Sequence, residues 1–183
     1  MVDVGDVDSV FSMLPEDACV RGVFLTHSHF DHLYGINDLV SKCPQCVVYT
    51  SAHGKEGLYS EKLNLSRYHE SPIVFKGEHV CVLGEGSSVE LFPGVSLRAI
   101  ETPGHDWSCL SYLVSDPVAS LLFTGDSLIP NVAVVTSLPH GDKTQSQASV
   151  SRLKNDFIPS SALLCPGHGQ MQVLAPSLAP LES

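Results

Sequence analysis

The run His27-Ser28-His29-Phe30-Asp31-His32 decides the fold and directs the search for a function. Four of its six residues are metal-ligand types, and it follows an apolar segment, residues 20–26, that predicts a buried strand. In extended backbone, residues i and i+2 point to the same side, so His27 and His29 can hold one ion. A helix that begins near Phe30 would turn Asp31 and His32 toward a different point nearby. One short loop therefore predicts two adjacent metal sites.

Three later motifs each place a ligand-type residue after a glycine at a predicted strand end. They are Thr102-Pro-Gly-His105, Phe123-Thr-Gly-Asp126 and Cys165-Pro-Gly-His168-Gly. Glycine permits a sharp turn where a strand ends, and in layered α/β folds sites assemble at strand ends. Imidazole and carboxylate ligands suit zinc, and they are also compatible with iron or manganese.

Composition restricts the class of protein. A chain of 183 residues can form one domain with a substantial core, which we assign to residues 1–169, followed by a tail at 170–183 that we expect to be poorly ordered. The net charge of −10 disfavours nucleic-acid and anionic membrane partners. No apolar run reaches the roughly 18 residues of a membrane span, and no cationic leader is visible. Six scattered cysteines suit a reducing compartment, so we expect a cytoplasmic protein that acts on a small molecule.

Apolar periodicity and turn residues predict alternating strands and helices. Predicted strands cover residues 2–4, 20–26, 46–50, 79–83, 88–92, 95–101, 109–115, 119–124 and 162–165. Predicted helices cover residues 6–14, 31–42, 53–60 and 144–157. The polar segment at residues 61–78 predicts a long functional loop. Strand–helix units flanking a β-rich centre predict two sheets with helices packed outside.

The order of the motifs resembles that of the metallo-β-lactamase-fold hydrolase superfamily. H-x-H-x-D-H, P-G-H, T-G-D and P-G-H-G follow one another as in that superfamily, and Val2-Asp3-Val4-Gly5 resembles its opening strand. The resemblance implies an α/β fold, the four-layer αββα metallo-β-lactamase sandwich, with a dinuclear site at one edge of its sheets. Members usually begin with a β-hairpin ahead of the opening strand, and we expect the chain to lack it. The edge left open favours pairing with a second copy.

The resemblance also implies a role for each ligand-type residue. The implied ligands are His27, His29 and His105 for metal 1, and Asp31, His32 and His168 for metal 2. Asp126 would bridge both ions, and Asp3 would lie near the site rather than on it. We expect two zinc ions per chain, with Asp31 and Asp126 as the catalytic carboxylates.

The full ligand set with a bridging aspartate is similar to that of the glyoxalase II-type thioesterases. The implied reaction is hydrolysis of a thioester or related small ester, in which a bridging hydroxide attacks the acyl carbon. Glyoxalase II continues past its last ligand histidine into a helical glutathione-binding domain, whereas the chain ends at Ser183. The resemblance therefore implies thioester chemistry without specifying a glutathione thioester.

Three alternatives stay open. Lactonases share the same ligands. A persulfide dioxygenase would hold a single iron on a subset, His27, His29 or its equivalents, and Asp126. A non-catalytic metal-binding module is the third alternative, and the intact ligand set argues against it.

The predicted loop at 61–78 carries the candidate substrate contacts Arg67, Tyr68 and Lys76, which could meet an anionic substrate. Outside the motifs, four histidines are interpreted as surface or loop residues: His53, His69, His79 and His140. Of these, His69 is nearest to candidate substrate contacts in the sequence. Cys43-Pro-Gln-Cys46 has no second pair and no following helix start, so we interpret it as structural. Cys109 is predicted to pack beneath the site.

Overall fold

Two β-sheets lie face to face in a computed structural model that describes residues 1–157 and 162–173. The first sheet is parallel and has the order β1 (Gly22–Phe24), β2 (Val47–Thr50), β3 (Val80–Val82). The second sheet has six strands in sequential order: β4 (Ser88–Phe92), β5 (Val95–Glu101), β6 (Leu110–Ser115), β7 (Ser120–Gly125), β8 (Leu163–Pro166) and β9 (Gln172–Val173). Its strands are antiparallel except for the β7–β8 pair.

Within the described residues, four α-helices cover the outer faces of the sheets: α1 (Val7–Ser12), α2 (Ile36–Lys42), α3 (Ala52–Leu58) and α4 (Lys143–Arg152). Polar side chains fix three of the helix starts. Asp6 accepts from the amides of Asp8 and Ser9, Ser51 caps α3, and Asp142 caps α4. Each cap satisfies backbone donors that a helix leaves without internal partners. A π-helical turn, Leu153–Phe157, extends α4, and short 3₁₀ turns lie at Phe30–His32 and Ser66–Tyr68.

Three apolar clusters separate four layers. Val23 and Leu25 of the β1 segment point toward the helices, where they meet Leu33 and Ile36 around α2. Phe24 points the other way, into the space between the sheets. This alternation follows from the two-residue period of extended backbone. A third cluster packs α4 and its π-helical turn on the outside of the second sheet through Ile100, Leu122, Leu153 and Leu164. The layers are therefore helix, sheet, sheet, helix, as the resemblance implies.

A buried tyrosine ties the two sheets together close to the ligand run. Tyr112 on β6 is fully buried, and its hydroxyl donates to the carbonyl of Leu25, 2.6 Å away. Its ring also meets Phe24 edge-on, with 5.7 Å between centroids. Nearby, the amide of Leu110 donates to the carbonyl of Thr26 at 2.7 Å. These contacts bring the end of β1 beside the second sheet.

The predicted strand at 2–4 is wrong in extent. Val2 makes a single bridge to Phe24, and Asp3 has a φ of 53°, so the backbone turns before a strand can continue. The predicted helix at 31–42 divides into the 3₁₀ turn and α2, with residues 33–35 between them. The predicted strand at 79–83 exists as β3, but it pairs with β2 in the first sheet.

The predicted tail at 170–183 contains the two-residue strand β9, which pairs with β8. The remainder, residues 174–183, lies outside the described residues, so the division of the chain at 169 stays a prediction. None of the helices in residues 1–157 and 162–173 is long and apolar enough to span a bilayer.

Candidate metal centre

The ligand-type residues gather at the ends of strands, as the motifs predict. They follow β1, β5, β7 and β8, and the last three strands point the same way in the second sheet. Three overlapping groups have ligand atoms within 4.8 Å of one another: His27, His29 and His105; His27, His32 and Asp126; Asp31, His32 and His168. All seven residues implied as ligands therefore meet in one centre. Their individual ligand roles remain predictions.

The three-histidine group is buried. His29 Nδ1 lies 3.0 Å from His105 Nε2, so the two rings aim these nitrogens at a common point. His105 Nδ1 lies 2.7 Å from the carbonyl of Val135 and donates to it. His27 Nδ1 lies 3.1 Å from Thr26 Oγ1. The contacts to Val135 and Thr26 each occupy one ring nitrogen of a histidine and leave the other for a cation.

The group formed by Asp31, His32 and His168 is open to solvent on one side. His32 is buried, whereas the side chains of Asp31 and His168 are 54% and 53% exposed. His168 Nε2 lies 3.2 Å from Asp31 Oδ2, and His32 Nε2 lies 3.7 Å from the same oxygen. A small molecule can therefore approach the centre from the side of Asp31 and His168.

Asp126 lies between the three-histidine group and the group formed by Asp31, His32 and His168. Its Oδ1 is 3.5 Å from His32 Nε2, and its Oδ2 is 3.6 Å from both His105 Nε2 and His168 Nε2. Gly125 has a φ of 49°, a left-handed conformation that glycine adopts without strain, and it turns the chain into Asp126. Gly167 packs so closely against Asp126 that a side chain in its place would collide with Asp126 and His32.

Buried atoms without partners show that the residues fit a cation. Among the described residues, His27 Nε2, His32 Nε2 and Asp126 Oδ1 are buried and have no hydrogen-bond partner. Unpaired buried polar atoms are costly. The three residues also form one of the groups whose ligand atoms lie within 4.8 Å of one another. A divalent metal would satisfy all three, and the nitrogen and oxygen donors suit zinc, iron or manganese.

Burial and neighbouring charges shift the pKa values of these histidines in different directions. Burial and the neighbouring imidazoles hold the pKa of His27 well below its ordinary value, and burial followed by His29 lowers the pKa of His105. Both rings are therefore neutral and keep a lone pair. Burial opposes a charge on His32, but the carboxylates of Asp126 and Asp3 outweigh it and raise its pKa to about 10. Burial likewise opposes ionisation of Asp126, yet His32 holds its pKa below the usual range.

Asp3 contacts the centre through His32 and Thr26, and its expected place beside the metal site stays a prediction. Its Oδ2 is 2.8 Å from His32 Nδ1 and accepts from Thr26 Oγ1 at 2.8 Å, while its Oδ1 accepts from the Thr26 amide at 2.7 Å. Since Thr26 Oγ1 also meets His27 Nδ1, one carboxylate orients two histidines. The left-handed backbone of Asp3 places its side chain for both contacts.

Asp106 is a residue of the centre that sequence reasoning missed. It is buried, and its Oδ2 lies 3.5 Å from His29 Nε2, on the side of the ring away from His105. Ser108 donates to Asp106 through its amide at 2.8 Å and through its hydroxyl. Although burial opposes ionisation, His29 and Ser108 keep the pKa of Asp106 below its usual range. The available signal was its position directly after His105.

The predicted substrate contacts lie in the loop between α3 and β3. Arg67 and Tyr68 are exposed in the 3₁₀ turn, and the Arg67 guanidinium lies over the Tyr68 ring. Lys76 is exposed, and its amide donates to Asn37 on α2. Their role stays a prediction. In the same loop, the ring of His69 stacks on Phe30 with 3.8 Å between centroids, which places His69 against the ligand run.

Two histidines interpreted as surface or loop residues flank the indole of Trp107. His53 stacks on one side with 4.1 Å between centroids, and His140 on the other with 3.9 Å. His140 has a φ of 66°, a conformation uncommon outside glycine. The stack joins α3, the segment after His105, and the loop whose Val135 carbonyl accepts from His105. His53 and His140 are both exposed, which confirms their interpretation as surface or loop residues, although the sequence did not indicate the stack.

The comparisons with known proteins agree with the fold and the centre. A family model described as the metallo-beta-lactamase superfamily matches residues 17–168. The chain belongs to this superfamily. Its four-layer architecture and clustered histidines and aspartates are accordingly those of a metallo-beta-lactamase superfamily member.

Individual relatives are distant in sequence but similar in structure. A hydroxyacylglutathione hydrolase of Xylella fastidiosa (strain M12) is 28% identical over 168 residues, which are 92% of this chain and 54% of that protein. The chain thus spans about half the length of the curated relatives it matches. The B3 metallo-beta-lactamase BLEG-1 has a TM-score of 0.78 at 26% identity, over 93% of this chain and 81% of that one. TTHA1623, solved in a di-iron-bound form, has a TM-score of 0.73 at 27% identity, over 94% and 82%.

Proposed function

We propose that the chain is a metal-dependent hydrolase that cleaves thioesters of small carboxylic acids. The observation that carries this proposal is the position of Asp126, whose two carboxylate oxygens face both ligand groups at 3.5–3.6 Å. A single carboxylate so placed suits a pair of ions rather than one. The 28% identity to hydroxyacylglutathione hydrolases supports a thioester as the substrate class.

Each residue of the centre would have a distinct role. His27, His29 and His105 would hold one ion, Asp31, His32 and His168 the other, and Asp126 both. When bound, two such ions lower the pKa of a shared water toward neutrality and polarise a carbonyl oxygen. Asp3 and Asp106 orient the imidazoles, and the exposed pair Asp31 and His168 leaves a face by which the acyl group can enter. In the net reaction, water replaces the thiol on the acyl carbon, giving a carboxylic acid and a free thiol.

The choice of metal belongs to the same proposal. We favour two zinc ions per chain because nitrogen and carboxylate donors in closely spaced groups suit zinc. Iron is compatible with the same donors, and the similar TTHA1623 was solved in a di-iron-bound form.

The test is a panel of metal-loaded assays on the full chain. We expect release of free thiol from small acyl thioesters, with a loss of at least about a hundredfold in Asp126→Asn. Asp17→Asn, which changes an exposed aspartate outside the implied ligand set, serves as the matched control. Hydrolysis of lactones without thioester cleavage would identify a lactonase instead. Oxygen uptake with a persulfide would identify a dioxygenase, and inactivity throughout would favour a non-catalytic module.

A further inference from the structure

Two cysteine thiols outside the metal centre lie close together. The sulfur of Cys19, in the segment that joins α1 to β1, is 3.5 Å from the sulfur of Cys43, at the end of α2. Cys19 is exposed, and Cys43 is buried. A disulfide has a sulfur–sulfur distance of about 2.05 Å, so an approach of about 1.5 Å would join them.

We propose that Cys19 and Cys43 form a thiol–disulfide site that exchanges with small-molecule disulfides of the glutathione type. The exposed Cys19 thiolate attacks the small disulfide, forming a mixed disulfide and releasing one thiol. The Cys43 thiolate then attacks the Cys19 sulfur and releases the second thiol. Two protein thiols lose two protons and two electrons, and the small disulfide becomes two small thiols.

Burial assigns the order of the two steps. Burial raises the pKa of the Cys43 thiol, and the nearby Cys19 adds to the effect, so Cys43 is a poor first nucleophile. Exposure makes Cys19 the thiol that a small disulfide can reach. Cys43 is instead the resolving thiol, since its sulfur already faces Cys19.

The neighbouring Cys46 is the main competitor. Its amide donates to the Cys43 carbonyl in the turn of the C-x-x-C sequence, and its thiol is buried. Burial and Cys43 raise the pKa of Cys46 to about 11. Among the described residues, groups of three or more ligand atoms within 4.8 Å occur in the His/Asp centre alone, so the thiols form a pair rather than a metal cage.

The disulfide would close a covalent loop that contains part of the metal centre. The covalent loop from Cys19 to Cys43 contains β1, the run from His27 to His32, and α2. Closing a loop of this length reduces the freedom of the unfolded chain. Oxidation should therefore raise the melting temperature by about 5–10 °C in the absence of strain.

The experiment maps the bond directly and needs no catalytic activity. The reduced full chain is equilibrated with mixtures of glutathione and glutathione disulfide, capped with N-ethylmaleimide, digested with trypsin without reduction, and analysed by mass spectrometry. Cleavage after Arg21, Lys42 and Lys55 should leave the peptide 1–21 joined to the peptide 43–55. Fragmentation before Pro44 separates Cys43 from Cys46 and locates the bond.

Matched variants decide between the thiols. The link should survive in Cys46→Ser and in the control Cys81→Ser, and it should be lost in Cys19→Ser, together with the rise in melting temperature. A bond from Cys46 to either Cys19 or Cys43 would overturn the proposal. So would a Cys19 that carries glutathione at every ratio without forming the internal bond.

Discussion

The carboxylate of Asp3 lies 2.8 Å from Nδ1 of His32, although 29 positions separate the two residues in the chain. The contact fixes which nitrogen of His32 faces Asp126, and Thr26 extends it to His27. An aspartate outside the ligand set thus orients imidazoles in both ligand groups. Contacts between residues that are distant in the sequence therefore shape the centre, in addition to the spacing of the motif residues.

Replacing Asp3 should weaken metal binding without unfolding the protein. Asp3→Asn keeps a residue that tolerates the left-handed backbone but removes the charge that faces His32. We expect a loss of about 10–100-fold in affinity for the more weakly held ion, measured by competition with a chromophoric chelator. Asp8→Asn is the matched control, because its carboxylate is 86% exposed and pairs with Lys42 at the surface. Equal affinities in the two variants would remove Asp3 from the centre.

Asp106 should act on the three-histidine group in the same way. Asp106→Ala removes the carboxylate that lies 3.5 Å from His29 Nε2, so the ring loses its electrostatic partner. We expect about a 10–100-fold weaker binding of the ion held by His27, His29 and His105. Titration with cobalt, whose absorption reports coordination, would follow this ion. An unchanged cobalt affinity, with a lower melting temperature alone, would mean that Asp106 serves packing only.

The sole tryptophan offers an optical test of the histidine stack. Trp107 lies between His53 and His140, with its ring stacked on both imidazoles. The two imidazoles shield the indole from water, so His53→Ala and His140→Ala should each shift the emission maximum to longer wavelength. His69→Ala is the control, because His69 stacks on Phe30 instead. An emission maximum that stays unchanged in the His53 and His140 variants would contradict the stack.

An ion pair should make stability depend on pH in a predictable direction. Arg152 Nη2 lies 2.5 Å from Glu85 Oε1, and this hydrogen bond holds the pKa of Glu85 below its ordinary value despite partial burial. The stabilisation is therefore present above the unfolded pKa and is lost as the pH falls through the folded one. Glu85→Gln should lower the free energy of unfolding by up to about 1 kcal/mol at neutral pH.

Denaturant titrations at several pH values would check this prediction. The difference between the wild type and Glu85→Gln should disappear in acid, where Glu85 of the wild type is protonated. Glu90→Gln is a suitable control, since Glu90 is exposed on β4. A difference that persists unchanged in acid would assign the effect to packing rather than charge.

Much of the centre could be predicted because its residues follow short motifs. The spacing within His27–His32 and the glycine before His105, Asp126 and His168 are local features, and local features are readable in a sequence. The four layers could be predicted because strand–helix units flanking a β-rich centre indicate two sheets with helices outside, and the order of the motifs implies the αββα sandwich.

The rest depended on contacts between distant segments. Asp106 meets His29 across 77 positions, and nothing near either residue in the sequence indicates that pairing. The Trp107 stack joins three separate segments. The strand predicted at 2–4 failed because the φ of Asp3 is set by its bonds to Thr26 and His32, which override local preference. The closeness of Cys19 and Cys43 likewise arises from the packing of α2 beside the segment before β1.

The central claim is that two ions share this site through Asp126, and metal content tests it most directly. Elemental analysis of the full chain, purified without added metal and then reconstituted, should give about two ions per chain, with zinc as the expected element. Asp126→Asn should reduce the count, whereas Asp17→Asn should not. One iron per chain that is unaffected by loading with further metal would contradict the account, and so would the absence of bound metal after reconstitution.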